Sequence, residues 1–307
     1  MPYIKEKIAT VSNKKTYQIL LSLGYCMKNA QSLIDRGRVF DDEGVLAKNQ
    51  LVSGDVYLVK FKPEPKGLKP IFEDENFAVY DKPSGVLTHP NGRDCIYSMS
   101  DEIVAKFGKS AKVAHRLDKE TSGVLLVAKD IAIEKEIKTK FEKGEISKLY
   151  LAMAEGIIDR NFSVNEALAL KNGAKILKNK IYVDESGKRS KTNFEVVENY
   201  DNFNATLLRC IPLTGRQHQI RVHMFHVKHK ILGDPLYGVS DEFACRFLDG
   251  KVDINERLIQ SGASRLMLHS QNLTFKFRGK NYNINSEFKA KNEFEIELKN
   301  SISYRHH

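Results

Sequence analysis

The chain has 307 residues, 41% hydrophobic and 29% charged, an ordinary globular balance with room for one large domain or a small one beside a medium one. No run approaches the roughly 20 apolar residues of a membrane-spanning helix, and Lys5, Glu6 and Lys7 break up the N-terminal apolar residues, so no secretory signal is read and a cytoplasmic protein is expected. Lys and Arg outnumber the acids 49 to 39, a net charge of +10 that favours a polyanionic partner without naming one, while Cys26, Cys95, Cys210 and Cys245 lack the C-x-x-C spacing of a zinc site or the density of a disulfide framework.

Close to half of the charge excess lies in residues 1–70, which hold 12 Lys/Arg against 7 Asp/Glu. Residues 16–23 and 28–36 read as two short helices, with Gly24 and Gly37 standing where each should stop. Residues 38–40, a turn over 41–44 and residues 56–59 read as short strands. The next stretch, KFKPEPKGLKP over 60–70, carries Pro63, Pro65 and Pro70, each of which removes a backbone donor, so it reads as a linker. The expected organisation is a small unit over 1–60, a Pro-rich linker over 61–70 and a larger unit over 71–307.

In the larger unit, 77–80 is a short apolar run and 124–128, unbroken VLLVA, is a buried strand. Asp130 is placed to cap a helix that runs to about Lys143 and closes at Gly144. Residues 149–154, 194–197, 205–211 and 273–277 read as further strands, and Thr214 as the cap of a helix over 217–226. Residues 240–263 have a helical pattern and are expected to cover one edge of the unit. Strands at hairpin spacing mixed with a few helices predict an α+β fold, with flanking helices around a mostly antiparallel or mixed sheet, beside a small N-terminal α/β unit.

Residues 112–129, KVAHRLDKETSGVLLVAK, place Asp118 on a loop between two strands, where a scaffold fixes a functional group from both ends. Arg116, two residues earlier, shares its side if the backbone is extended. Taken alone, Asp118 reads as the cap of a Thr121-Ser122 turn, Tyr150 as a core tyrosine and Arg116 as a phosphate-binding surface arginine. His218, His223, His226 and His229 invite a metal reading, and His223 and His226 share a helical face, but no acidic or cysteine ligand accompanies them; no metal site is expected.

The run H-R-L-D-x-x-T-S-G from His115 to Gly123 resembles the signature of the pseudouridine synthases that modify large-subunit ribosomal RNA and some transfer RNAs. Four more stretches resemble that family's motifs in the same order: Asp81-Lys82-Pro83-Ser84-Gly85-Val86 with His89-Pro90, Lys148-Leu149-Tyr150-Leu151-Ala152, the run from Thr214 to His223, and Ile231-Leu232-Gly233-Asp234-Pro235-Leu236-Tyr237-Gly238. The resemblance implies an isomerase that needs neither cofactor nor metal. It implies Asp118, Tyr150 and Arg221 as the catalytic set, with Arg216 the second choice as partner of Asp118. It also implies that the target base is turned out of its stack, with Arg116 filling the gap beside His115, and that His218 is structural or contacts RNA. In the small unit, Ala30, Leu33, Ile34, Gly37, Val39, Gly44 and Gly54-Asp55 resemble the small RNA-binding domain named after a ribosomal small-subunit protein, which implies RNA contacts at Lys28, Arg36 and Arg38. The usual arginine-rich start of that domain is Lys14-Lys15-Thr16 here. Ribosomal RNA is the implied partner and transfer RNA the alternative, with no membrane and a monomeric chain. A glycosidase-like hydrolase needs a second carboxylate, for which Glu120 lies too close in sequence, and a non-catalytic RNA-binding protein has no use for Asp118, Tyr150 and Arg221 together.

Overall fold

The structure, a computed structural model, describes residues 3–91, 95–170, 177 and 180–303. The chain divides into two compact units: the first takes in 1–66 and 90–105, the second 67–89 and 106–307.

In the first unit, β1 (Tyr3–Lys15) leads into α1 (Thr16–Ser22) and α2 (Met27–Asp35), followed by β2 (Val39–Phe40) and β3 (Leu51–Phe61). The three strands form an antiparallel sheet in the order β1-β3-β2. Ile19, Leu20, Ala30, Ile34, Val39, Val56 and Leu58 make the core beneath the helices. The two helices and the strand at 39–40 fall where the periodicity puts them. Strand β1 was not expected, for a physical reason: most of its side chains are exposed, so it has no apolar alternation to read. It exists because β3 offers it a partner along its whole length, from Tyr3 opposite Phe61 to Lys15 opposite Leu51. The Pro-rich stretch is tied down locally. The amide of Glu64 donates to Asp101 Oδ1 at 3.0 Å and that of Lys66 to Glu102. Both acids lie in the first turn of α3 (Met99–Phe107), which Ser98 opens through its bonds to Asp101.

The second unit is built on one sheet of eleven strands. In chain order these are β4 (Phe72–Glu73), β5 (Phe77–Lys82), β6 (Lys112–Val113), β7 (Ser122–Ala128), β8 (Ile146–Glu155), β9 (Phe162–Leu170), β10 (Ile181–Val183), β11 (Lys188–Tyr200), β12 (Ala205–Pro212), β13 (Leu268–Phe277) and β14 (Lys280–Asn285). Their order across the sheet is β10-β9-β11-β12-β8-β13-β7-β5-β4, with β14 beside β13 and β6 beside β7. The pairings are antiparallel except β13 with β7, so the sheet is mixed, as expected. Helices α4 (Ile131–Glu142), α5 (Gln219–His226), α6 (Asp241–Leu248), α7 (Ile254–Ser261) and α8 (Ala290–Ser303) flank it. Asp130 caps α4 through the amide of Ile133, as its sequence predicts. Ser240 and Asp253 cap α6 and α7 in the same way, turning the unassigned 240–263 segment into two short helices. Ala244 of α6 packs with Leu168, Ile181 and Val222 at the β9–β10 edge.

Thr214 is a correction. It does not cap α5: its hydroxyl donates to Gln219 Oε1 at 2.6 Å and accepts from the amide of Lys191, while the residue at the cap position is His218, in a left-handed conformation. A side-chain network among β11, the turn and α5 does the work expected of a local cap.

The β7–β13 crossing is where the fold begins to organise a site. Ser270 of β13 faces Gly123 of β7 on one side and Tyr150 of β8 on the other. A Cβ on Gly123 would lie 2.2 Å from the Ser270 carbonyl oxygen, so glycine is the residue that lets these strands meet. That contact puts Tyr150, Ser270 and Gly123 at one level across three neighbouring strands.

Candidate active site

The loop from 114 to 121, between β6 and β7, is stapled at nearly every residue. His115 Nε2 accepts the amide of Leu126 at 3.0 Å. Thr88 Oγ1 donates to the Leu117 carbonyl at 2.8 Å and accepts its amide at 3.3 Å. Ser84 Oγ donates to the Glu120 carbonyl at 2.6 Å. Lys82, 1% exposed, delivers its ammonium to three carbonyls, those of Pro83, Val86 and Lys119, at 2.9, 2.7 and 3.0 Å. Burial pulls this lysine down to about 7, against the pull of Glu120 and Asp118, and a set of three acceptors is one that only the charged ammonium fills. The loop backbone is therefore rigid, and the side chain of Asp118 projects from it with 23% of its surface exposed.

Arg221 meets Asp118 from α5. Its Nη1 donates to Asp118 Oδ2 at 3.0 Å, and its Nε and Nη2 donate to Asp234 Oδ2 and Oδ1 at 2.7 and 2.8 Å. Asp234 Oδ1 also accepts the amides of Leu236 and Tyr237 at 2.9 and 3.0 Å. Arg221 and Asp234 are 3% and 1% exposed, so this is a buried, two-point clamp with one arm left over for Asp118. Burial works against the guanidinium charge, yet the two carboxylates hold it above its ordinary value. Gln219, at the start of α5, orients the helix by donating to the Lys191 carbonyl and Thr192 Oγ1 at 3.0 and 2.9 Å.

The electrostatics keep Asp118 ionised. Burial pushes its carboxyl up, but His218, Arg221 and Lys82 together hold it below its usual value. His218 Nε2 is 3.8 Å from Asp118 Oδ2, and burial drives that imidazole down to about 4. At neutral pH the histidine is therefore uncharged, and the arginine dominates. The other nitrogen of His218 meets the hydroxyl of Tyr237 at 3.0 Å, and the Tyr237 ring lies under the Arg221 guanidinium at 5.1 Å. Among the described residues no hydrogen bond engages Asp118 Oδ1. The site thus holds one carboxylate oxygen and leaves the other free.

Tyr150 is 9% exposed and near enough to Asp118 to feel its charge. Burial, opposed by Ser270 and aided by the charge of Asp118, pushes its hydroxyl up to about 12, so the phenol is neutral at physiological pH. Lys148, two residues earlier on the same face of β8, donates to the Thr214 carbonyl at 2.9 Å, and burial lowers it to about 8.

The other residues singled out by sequence lie apart from this centre. His115 is committed to the backbone of β7 and to the Phe141 ring at 4.9 Å; burial pushes it down to about 3. Arg116, on the same loop, points outward and is exposed. Of the two arginines considered for Asp118, Arg221 touches it, whereas Arg216 is exposed and donates from Nε to the Arg189 carbonyl at 3.2 Å. Lys28 and Arg36 are exposed at either end of α2, and Arg38 lies over the Tyr3 ring at 5.4 Å. The four histidines do not gather: His223 spends both nitrogens on Ser190 and Thr192 at 2.9 Å, and His229 bonds the Glu155 carbonyl. Asp234, Lys82 and Tyr237 were not chosen from sequence. The only signal for them was their place inside motif-like stretches; nothing local marks Asp234 as the partner of Arg221.

Comparison with known proteins gives a consistent picture. Residues 76–226, which include Asp118, Tyr150 and Arg221, match the RNA pseudouridylate synthase family. An uncharacterized RNA pseudouridine synthase of Helicobacter pylori (strain J99) is 37% identical over 93% of this chain and 96% of its own length. Ribosomal large subunit pseudouridine synthase C of Buchnera aphidicola is 32% identical over 76% of this chain and 70% of its own length. The solved structure of human RNA Pseudouridylate Synthase Domain Containing 1 superimposes with a TM-score of 0.55 at 20% identity, covering 78% of this chain and 98% of that one, a likeness of fold.

Proposed function

This chain belongs to the RNA pseudouridine synthase family, and from that membership we propose that it acts on large-subunit ribosomal RNA with Asp118 as the catalytic carboxylate. The observation that carries the reading is the Asp118–Arg221–Asp234 array: one oxygen of Asp118 is held at 3.0 Å by an arginine that Asp234 grips at two points, and among the described residues no hydrogen bond engages the other oxygen.

Isomerisation breaks the bond from the uracil N1 to the ribose C1′ and makes one from C5 to C1′. An ionised carboxylate can attack C1′, stabilise positive charge developing there, or start an elimination by taking a sugar proton. Each route needs Asp118 without its proton at neutral pH, and Arg221 with Lys82 favours that state. Once C5 has joined C1′, the C5 proton leaves and N1 takes one up, so the atoms of the RNA are conserved. Tyr150 feels the charge of Asp118, and its neutral phenol suits contact with the base and relay of that proton. A stacked uridine must first be turned out. Arg116, exposed on the loop that carries Asp118, suits the role of filling the vacated space.

Ribosomal RNA is favoured because relatives named ribosomal large subunit pseudouridine synthases C and D are 32% identical to this chain over aligned stretches of 235 and 208 residues. The first unit, with Lys28, Arg36 and Arg38, is read as an accessory RNA grip. The test is a map of pseudouridine across all RNAs in a strain lacking the gene. The expected loss is confined to large-subunit ribosomal RNA and is restored by the wild-type gene but not by Asp118→Asn. Loss confined to transfer RNA would overturn the substrate assignment.

A further inference from the structure

The segment 240–263 matches none of the family-like motifs, yet its second helix sends a buried charge to both ends of the Asp118–Arg221–Asp234 array. Arg257 of α7 donates from Nη2 to Glu120 Oε2 at 2.8 Å and to the Gly233 carbonyl at 3.1 Å. Glu120 is two residues past Asp118, and Gly233 immediately precedes Asp234. The pair is nearly closed off, with 12% and 10% of the two side chains exposed, and the Phe247 ring of α6 covers the guanidinium at 4.8 Å.

Each end is also held locally, and Arg257 is the side chain that bonds to both of them. The loop at Asp118 is stapled on its other flank by Lys82, Ser84 and Thr88, so the Glu120 side chain is its tie toward α7. The turn at Gly233 is tight: its φ is +76°, an added Cβ would fall 1.7 Å from the Arg265 carbonyl oxygen, and its amide donates to the Ser261 carbonyl at the end of α7 at 2.8 Å. A buried ion pair adds little stability over an apolar pair of the same size, so the interest of this one lies in what it joins: the residue two past Asp118 and the residue before Asp234.

We propose that Arg257 is a positioning residue for the isomerisation, setting the distance between the Asp118 loop and the Asp234 turn so that Arg221 reaches both carboxylates; this rests on Asp118 being the catalytic carboxylate. A loop displaced by about 1 Å relative to the turn would detach Arg221 Nη1 from Asp118 and cost on the order of a hundredfold in rate.

The experiment uses full-length protein and total RNA from a strain lacking the gene, which carries the unmodified target whatever its class. Pseudouridine formation is followed at saturating enzyme, together with the enzyme concentration that gives half the maximal rate, and the thermal midpoint is recorded. Arg257→Met is expected to lower the maximal rate by about tenfold to a hundredfold with the half-saturating concentration within about twofold. Arg257→Lys, which keeps the charge and the donors, is expected to recover most of the rate. The Glu120→Gln, Arg257→Met double variant is expected to be no slower than Arg257→Met alone, since the two residues act as one unit. It carries no uncompensated buried charge, so it decides the question if Arg257→Met does not fold. A lowered thermal midpoint with an unchanged rate, losses that multiply in the double variant, or a shift confined to the half-saturating concentration would each overturn the proposal. Arg246→Met breaks the exposed bidentate bond from α6 to Glu256 of α7 and is expected to leave the rate unchanged; a loss equal to that of Arg257→Met would show that general disorder of α6 and α7 is responsible. Turnover by Asp118→Asn would overturn the parent reading and is scored separately.

Discussion

The Asp118 centre and the basic face of the first unit both carry charge, but they hold it in opposite ways. At Asp118 the charges are held in place: Asp234 holds Arg221 at two points, Arg221 holds Asp118, and Arg257 holds Glu120. In the first unit Lys28 and Arg36 are exposed at the ends of α2, and β1 is decorated with surface pairs such as Lys7–Asp55 and Lys60–Glu6. Salt screens exposed charges and hardly touches buried ones. The first arrangement therefore suits chemistry, which needs one geometry, and the second suits reversible attraction to a polyanion, which needs none.

The comparison is tested most severely at Asp118. Asp118→Asn keeps the shape and removes the charge, and the expected loss of turnover is on the order of a thousandfold or more, with RNA affinity, measured by filter binding, largely intact. Turnover within tenfold of wild type would break the assignment.

Asp234→Ala comes next. It leaves Arg221 buried with half its partners gone, which in buried pairs costs about 3–5 kcal/mol of stability, and the freed arginine is expected to lose its aim at Asp118. A fall in both denaturation midpoint and single-turnover rate checks this. A fall in stability alone would separate the clamp from the chemistry.

Arg116→Ala is expected to matter according to the RNA. On a folded stem-loop, where a base must be unstacked, the rate should fall by roughly tens-fold; on an unstructured RNA with the same uridine it should change little. Equal losses on both would assign Arg116 to the chemistry or to general phosphate binding.

The pH profile sharpens the same contrast. Asp118 is active as the anion and its carboxyl lies below the ordinary 3.8, so the rate should hold as pH falls and then drop about tenfold per unit only beneath that value. The stability that its pairing supplies has the same sign: it is fully present above 3.8 and disappears as pH falls through the lowered value. An acid limb near neutrality would show that a different group controls the rate.

The smallest effect is expected in the first unit. Replacing Lys28, Arg36 and Arg38 with alanine should leave the maximal rate unchanged and flatten the dependence of log affinity on log salt by about 2–3. An unchanged slope would mean that these cations do not meet phosphate.

Much of this protein is readable from short stretches of chain. Val124 to Ala128 announce a buried strand, Asp130 caps the helix that follows it, and the prolines at 63, 65 and 70 exclude regular structure, because burial patterns, caps and proline act within a few residues. The loop carrying Asp118 is readable for the same reason, and resemblance named Tyr150 and Arg221 beside it. Strand β1 was invisible because its stability comes from a partner some 40 to 60 residues away rather than from a buried face. Resemblance, not local pattern, paired Arg221 with Asp118; what the tertiary structure alone decided is that Asp234 grips Arg221 and that Arg257 meets Glu120. Arg221 lies 103 residues from Asp118, and Arg257 lies 137 from Glu120. No local pattern distinguishes these arginines from the many in solvent, because a charge becomes a partner only when folding removes the water that would otherwise have solvated it.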